Sequence, residues 1–223
     1  DTFSSRGLGD VYKRQITGGV NLPGTYIIQD GDKLSDIIIR AGGYKENAYP
    51  YAGILENKRA LETQKIAQDA LYTKYVESMV TTLSLTPNSS GGVDALKLIL
   101  NQIKNAPITG RVIAEFDLDA LAAVPKDDVI LEDGDKISVP YITQQVYVFG
   151  EVNTNGASRY ESNKDIHYYI YSVGGVTKNA DSKNIFIVQP NGKTIALRNS
   201  GGRLSIISGN GGSINVFPGS VIY

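Results

Sequence analysis

The sequence predicts an α+β chain of two tandem units, each a small mixed sheet holding one short helix, with a helical insert interrupting the first. Three observations carry this reading. The chain matches itself at a constant offset of 132 residues. Each copy holds one apolar stripe of helical period, bounded by turn-punctuated strand segments. Only the first copy contains a long helical pattern between residues 56 and 109.

The offset needs no gap. Gly18, Val20, Asn21 and Gly24 correspond to Gly150, Val152, Asn153 and Gly156, and Gly42, Gly43, Asn47 and Ala48 to Gly174, Gly175, Asn179 and Ala180. Between these sets Leu34, Ile37, Ile38 and Ala41 fall on Ile166, Tyr169, Ile170 and Val173. The spacing i, i+3, i+4, i+7 puts each set on one buried stripe of a short helix. Asp32 is expected to cap the first helix, and Ser162 or Asn163 the second. A Gly-Gly pair closes each, because the left-handed conformation that ends a helix is least strained without a β-carbon.

Before each helix come a strand, a turn and a strand. These are Ile16 to Val20 and Thr25 to Ile28 around Pro23-Gly24, then Val146 to Val152 and Ala157 to Tyr160 around Asn155-Gly156. After each Gly-Gly comes another strand, Ala52 to Leu55 and Ile185 to Val188. The second copy turns at Pro190-Asn191-Gly192-Lys193 into Thr194 to Leu197. In the first copy the segment Glu56 to Thr109 replaces that turn before a partner strand, Val112 to Leu118. A hairpin tip tolerates such an insertion because closing a longer loop costs little extra entropy. Within the insert, a helix is expected from Lys58 to about Leu85, with Ala67, Leu71, Tyr75 and Met79 on one side. After a break at Thr86 to Gly92, a second helix carries Leu96, Ile99, Leu100 and Ile103, making an antiparallel helical hairpin. Leu131 to Pro140 and Val216 to Tyr223 supply the last strands. This strand and helix sequence is a β-grasp order. The organisation is residues 16–140 for the first domain, with its insert at about 56–109, and 144–223 for the second, whose last strand is cut short.

Residues 1–15 are set apart. Ser5 to Gln15 resembles one reading frame of a sequencing-library adapter joined to a truncated gene, and the segment has neither the apolar core nor the cleavage site of a signal peptide.

Composition narrows the chemistry. With 22 basic and 23 acidic residues the net charge is -1, so no overall field favours nucleic acid or an anionic membrane surface. No Cys and a single His, His167, leave no thiolate nucleophile, no thiolate metal site and no His-rich one. No apolar run approaches the roughly 20 residues of a membrane-crossing helix, so no span is expected in this fragment.

Isolated motifs read as structure. Gly192-Lys193-Thr194 lacks the earlier glycine of a phosphate loop and is a hairpin turn. Asp30-Gly31-Asp32 and Asp133-Gly134-Asp135 lack the spacing of a calcium loop and read as turns. Asp117, Asp119, Asp127 and Asp128 offer a carboxylate pair for sugar hydrolysis, but alternation from Val112 to Leu118 places Asp117 on a solvent-facing strand and Asp127-Asp128 in a loop. His167 has no partner motif for general base work. The glycines of Gly201-Gly202 and Gly209 to Gly212 precede no helix and read as hairpin connections.

The Gly-x-Val strand, Pro-Gly-x-Tyr, the helix ending in Ala-Gly-Gly and the closing Asp-Gly-Asp-x-Ile-x-Val-Pro together resemble the soluble-ligand-binding β-grasp (SLBB) domain. Tandem copies resemble the periplasmic part of bacterial polysaccharide export proteins. The second copy departs from the pattern, with Asn155-Gly156 for Pro-Gly and Val173-Gly174-Gly175 for Ala-Gly-Gly. The resemblance implies a non-enzymatic, periplasmic, outer-membrane-associated component of a capsule or exopolysaccharide channel. It would form a homo-oligomer around the polysaccharide and need no cofactor, metal or catalytic residue. The alternative is a glycan-binding or small-ligand module, or an adaptor whose insert docks an inner-membrane biosynthesis protein. Fourteen tyrosines and no Trp point to Tyr44, Tyr49, Tyr51, Tyr168 and Tyr171 as glycan or interface contacts, because phenol rings stack on sugars and their hydroxyls bond to sugar hydroxyls. Tyr169 is expected in the core.

Overall fold

The computed structural model describes residues 13–85, 100–181, 184–200, 203–206 and 214–223. Residues 1–12, the break at Thr86 to Gly92, the first part of the second insert helix, Gly201-Gly202 and the glycines from Gly209 to Gly212 lie outside the described residues.

The first unit is a five-stranded sheet. Its strands are β1 (Lys13–Gly18), β2 (Gly24–Ile27), β3 (Ile54–Glu56), β4 (Arg111–Val112) and β5 (Lys136–Val139), in the order β2-β1-β5-β3-β4. β1 and β5 run parallel at the centre, with Ile16 opposite Ile137, and the other pairs are antiparallel. A parallel pair requires a crossover between its strands, and helix α1 (Leu34–Arg40) lies within it.

The second unit repeats that order. Its strands are β6 (Gln145–Val148), β7 (Gly156–Arg159), β8 (Asn184–Val188), β9 (Thr194–Ser200), β10 (Arg203–Ile206) and β11 (Val221–Ile222). The sequence β7-β6-β11-β8-β9 follows the first sheet strand for strand, with β10 added at the edge as a sixth strand. β11 is again parallel to β6.

Each unit has its own core, built from the predicted stripes. Leu34, Ile37, Ile38 and Ala41 are fully buried with Ile16, Leu55, Ile137 and Val139. In the second unit Ile166, Tyr169, Ile170 and Val173 pack with Val146, Val148, Ile187 and Ile222, so Tyr169 is core as expected.

The closing glycines repeat atom for atom. Gly42, Gly43, Gly174 and Gly175 all adopt positive φ. Asn21 Nδ2 donates to the Gly42 carbonyl at 2.6 Å, and Asn153 Nδ2 to the Gly174 carbonyl at 2.7 Å. The backbone amides of Asn21 and Asn153 reach the Gly43 and Gly175 carbonyls, each at 3.0 Å. Val20 bridges Tyr44 as Val152 bridges Val176.

Several local expectations are corrected. β1 begins at Lys13, inside the segment set apart, because its pairing with β2 extends to Lys13 opposite Ile27. Asp32 does not cap α1. Lys33 is the N-cap residue, its amide donating to Asp36 at 2.8 Å, while Asp32 accepts from the Gln29 amide and pairs with Arg40 at 2.6 Å. The second helix, Ile166–Ser172, is capped by Asp165, not by Ser162 or Asn163. The strand expected from Val112 to Leu118 stops at Val112. Its second half turns into helix because Glu115 accepts the Phe116 and Asp117 amides and Asp117 then caps Leu118–Ala123.

In the insert, α2 (Lys58–Leu85) has the expected bounds and α3 is helical over residues 100–105. Numbering then continues with α4 (Leu118–Ala123) and α5 (Ile166–Ser172). Gln68 Nε2 donates to the carbonyls of Ile103 and Ala106 at 2.7 and 3.0 Å, and Gln64 accepts the Gly110 amide at 3.0 Å. The foot of the hairpin is thus tied by glutamines. The expected apolar burial is incomplete, since Ala67, Leu71 and Tyr75 remain exposed along with Ile66. Polar and apolar side chains surround α2 on all sides, so no single face is apolar enough to bury.

Candidate functional site

The five tyrosines occupy three different settings. Tyr44 is half-buried against the first core, and its hydroxyl donates to the Phe116 carbonyl. Burial, and then the nearby Asp117 and Glu115 carboxylates, hold its phenol protonated far above the usual range.

Tyr49 precedes the short 3-10 turn Pro50–Ala52 and Tyr51 lies within it, with ring centroids 6.1 Å apart. Tyr51 meets Phe217 of the second unit at 4.5 Å. The Tyr49 hydroxyl is buried with no hydrogen-bond partner among the described residues. Burial, with Tyr51 and Tyr160 beside it, pushes that phenol up to about 12. Burial and then Glu115 also raise Tyr51.

Tyr168 and Tyr171 lie on α5. Tyr168 is half-buried on the second core, donates to Glu161 Oε1 at 2.7 Å and carries the Lys164 ammonium 4.8 Å above its ring. Its hydrogen bond to Glu161 raises its pKa. Tyr171 projects into solvent at 75% exposure.

The two units meet where Tyr49 and Tyr51 sit. Arg111 of β4 reaches across to donate from Nη2 to the Pro190 carbonyl at 2.9 Å. Partial burial lowers the Arg111 pKa, and its Nε is buried without a partner among the described residues. The connecting segment is held to the first unit, the Tyr49 amide donating to the Pro140 carbonyl at 2.8 Å and the Ile142 amide to the Asn47 carbonyl at 3.1 Å.

Each unit also carries a cleft, and the two are equivalent. The first, about 450 Å³, lies between Ile28 to Gly31 and Ile130 to Asp133. The second, about 460 Å³, lies between Tyr160 to Asp165 and Ile214 to Phe217. Ile28, Asp30 and Gly31 fall on Tyr160, Ser162 and Asn163 at the repeat offset. Gly31 and Asn163 share positive φ, and Asn163 is the one residue other than glycine to adopt it among the described residues. On the far side, the Glu132 and Phe217 amides donate to Asp135 and Ser220 at 2.8 and 3.1 Å, so the same turn closes both clefts.

Their chemistry differs. Lys58, Arg59 and Glu62 from the start of α2 line the first cleft, where Arg59 pairs with Glu132 at 2.9 Å and Arg14 with Asp133 at 3.3 Å. The second copy has a tight turn in place of the insert, so no corresponding helix reaches its cleft. The walls there are the Tyr160 and Phe217 rings, Ile214 and Val216, amide and hydroxyl groups, the Lys164 ammonium and the Asp165 carboxylate.

Two of the four acidic candidates have structural tasks. Asp117 caps α4, and Asp128 accepts from the Ser35 amide and hydroxyl at 3.2 and 2.7 Å. His167 is half-buried, with Nε2 buried and unpartnered among the described residues. No group of three or more His, Asp or Glu that would hold a metal occurs among the described residues. No described helix is long and apolar enough to cross a membrane.

Sequence reading singled out Tyr49 and Tyr51 but not Tyr160 or Phe217, which meet them in space. The available signal was the repeat itself, since Asn163 falls on the left-handed Gly31.

The SLBB domain family matches residues 14–60 and 145–198, one segment in each sheet unit. Both sheet units thus contain a segment that matches the SLBB domain, in line with the sequence resemblance. It is similar to the polysialic acid transport protein KpsD of Escherichia coli, 32% identical over 95 residues that make up 38% of this chain and 17% of that relative. A second Escherichia coli protein of the same description matches to the same extent. The chain therefore spans only a small part of the length of the curated relatives it matches.

Proposed function

We propose that this chain is a non-enzymatic periplasmic part of a bacterial capsule or exopolysaccharide export channel, made of two β-grasp domains and assembling as an oligomeric conduit. The observation that carries the reading is the duplicated SLBB segment together with the similarity to a polysialic acid transport protein. The β-grasp assignment is supported by the central parallel pair, β1 with β5 and β6 with β11, repeated in both sheets.

Assembly is supported by the open face of the second sheet. Phe149, Phe186 and Tyr223 are exposed there at 38%, 44% and 55%, and the Phe149 and Tyr223 rings lie 6.1 Å apart. The matching face of the first sheet is lined by Gln15, Thr17, Ile54, Glu56, Lys136, Ile137 and Ser138, with no aromatic residue. An aromatic patch on one sheet only favours a specific contact between copies over general stickiness. Tyr44, Tyr49, Tyr51, Tyr168 and Tyr171 remain the proposed aromatic contacts, with Tyr49 and Tyr51 serving the seam between units and Tyr171 the solvent-facing surface.

Deleting the full-length gene from its source bacterium tests this. The expected result is loss of surface polysaccharide with polymer retained inside, restored by the intact gene but not by one lacking residues 145–198. Normal surface polysaccharide in the deletion strain would overturn the reading.

A second reading, an adaptor for an inner-membrane biosynthesis protein, is favoured by the exposed Ile66, Leu71 and Tyr75 on α2. Removing residues 58–105 would then abolish partner binding while leaving both sheets folded.

A further inference from the structure

The two clefts match in size and position but not in charge. In the first, the start of α2 brings Lys58, Arg59 and Glu62 to a wall that also carries Asp30 and the pairs Arg59 to Glu132 and Arg14 to Asp133, so it is charged throughout. In the second, the Tyr160 hydroxyl and the Ser162, Asn163 and Asn215 side chains form no hydrogen bond among the described residues. Two aromatic rings border these groups. A concave wall of about 460 Å³ is in the range that takes a small ligand. Rings beside uncommitted amide and hydroxyl groups suit a molecule with apolar C–H faces and many hydroxyls.

Resting on the export reading, we propose that the cleft of the second unit is a saccharide-binding subsite and that its counterpart in the first unit is not. A sugar ring lies against Tyr160 and Phe217, while Ser162, Asn163 and Asn215 exchange hydrogen bonds with its hydroxyls. Lys164 is the one cation in this cleft, and Asp165 is committed to capping α5. The wall therefore accepts neutral sugars and tolerates an acidic one beside Lys164. Duplication supplied two equivalent clefts; the insert gave one to helix anchoring and left the other for ligand. Because Phe217 also packs on Tyr51, an occupied cleft bears directly on the seam between the units.

The test is a titration of the isotope-labelled chain with a neutral glucan hexamer and with a sialic acid hexamer, followed by amide resonances. Shifts are expected at residues 160–165 and 214–217, spreading to Tyr51. The double variant Ser162→Ala/Asn163→Gly removes two hydrogen-bonding side chains while glycine keeps the positive φ of residue 163. It should weaken binding by about tenfold or more with the fold intact. Shifts centred on residues 28–31 and 130–133, unchanged affinity in the double variant, or no shift with either probe would each overturn the proposal. Saccharide binding elsewhere on the chain removes this subsite and leaves the export reading standing. Normal export by the deletion strain removes that reading whatever the titration gives.

Discussion

Arg111 of the first unit donates to the carbonyl of Pro190 in the second, at 2.9 Å, and its guanidinium packs on the turn at Gly192. Arg111 sits where the insert rejoins the first sheet, and Pro190 opens the short turn that replaces the insert in the second. The two copies therefore touch at the place where they differ most. Arg111→Ala should cost about 1.5–3 kcal/mol, the range for a hydrogen bond to a charged group. Urea unfolding followed separately in each unit should show the two transitions moving apart, whereas a single unchanged transition would mean the bond does not couple the units.

Tyr49 should be improved by losing an atom. Its hydroxyl is buried without a partner among the described residues, so Tyr49→Phe is expected to stabilise the chain by about 1 kcal/mol. The sign with pH follows from its phenol pKa, raised by burial to about 12. The unfolded phenol loses its proton near 10, so the folded state is weakened as pH rises from there toward 12. Stability curves of wild type and Tyr49→Phe should diverge over that interval, the variant losing less.

Gly53 lies directly under the ring of Phe116, and a β-carbon there would overlap the ring atoms. Phe116 is almost fully buried in the first core, so it has no room to withdraw. Gly53→Ala should destabilise by about 1–3 kcal/mol or more through overpacking. Thermal unfolding checks this, and an unchanged midpoint would show that the ring can move.

Asn21 and Asn153 offer a paired comparison. Replacing either by Ala removes the side-chain bond to the Gly42 or Gly174 carbonyl, at about 1 kcal/mol each. The sites share no partner, so the double variant should lose the sum of the two, read from denaturant midpoints.

Asp32 is held below the usual carboxylate range, first by its hydrogen bond to Arg40 and then by the Gln29 amide. A lowered folded value means its contribution is present above the unfolded value near 4 and is lost as pH falls through the folded one. Carboxyl resonances should show Asp32 titrating below the ordinary aspartates in wild type and returning toward them in Arg40→Ala.

Much of the fold was legible because it was written twice. Leu34, Ile37, Ile38 and Ala41, matched at one offset by Ile166, Tyr169, Ile170 and Val173, specified the buried face of each helix, and the Gly-Gly pairs specified where each stops. The bounds of α2 followed from its uninterrupted helical pattern. Where competition was local, reading failed. Asp117 looked like the outward residue of an alternating strand, yet its carboxylate captures the Asp119 and Ala120 amides and starts a helix. Asp32 had a capping residue's identity but is drawn to Arg40, leaving the cap to Asp36. A short polar side chain finds whichever backbone amide the turn presents, and periodicity does not record that choice.

The sequence by itself determined the duplication, the two cores, the place of the insert and the resemblance to SLBB domains, because each rests on contacts whose spacing along the chain is regular. Only the tertiary structure decided that Tyr51 packs on Phe217, that Arg111 reaches Pro190, and that one cleft is walled by charged side chains from the insert while its twin is walled mainly by rings, amides and hydroxyls. Those relations join residues far apart in the chain, and they depend on how one folded unit is set against the other and on where the insert lies. No periodicity encodes that placement.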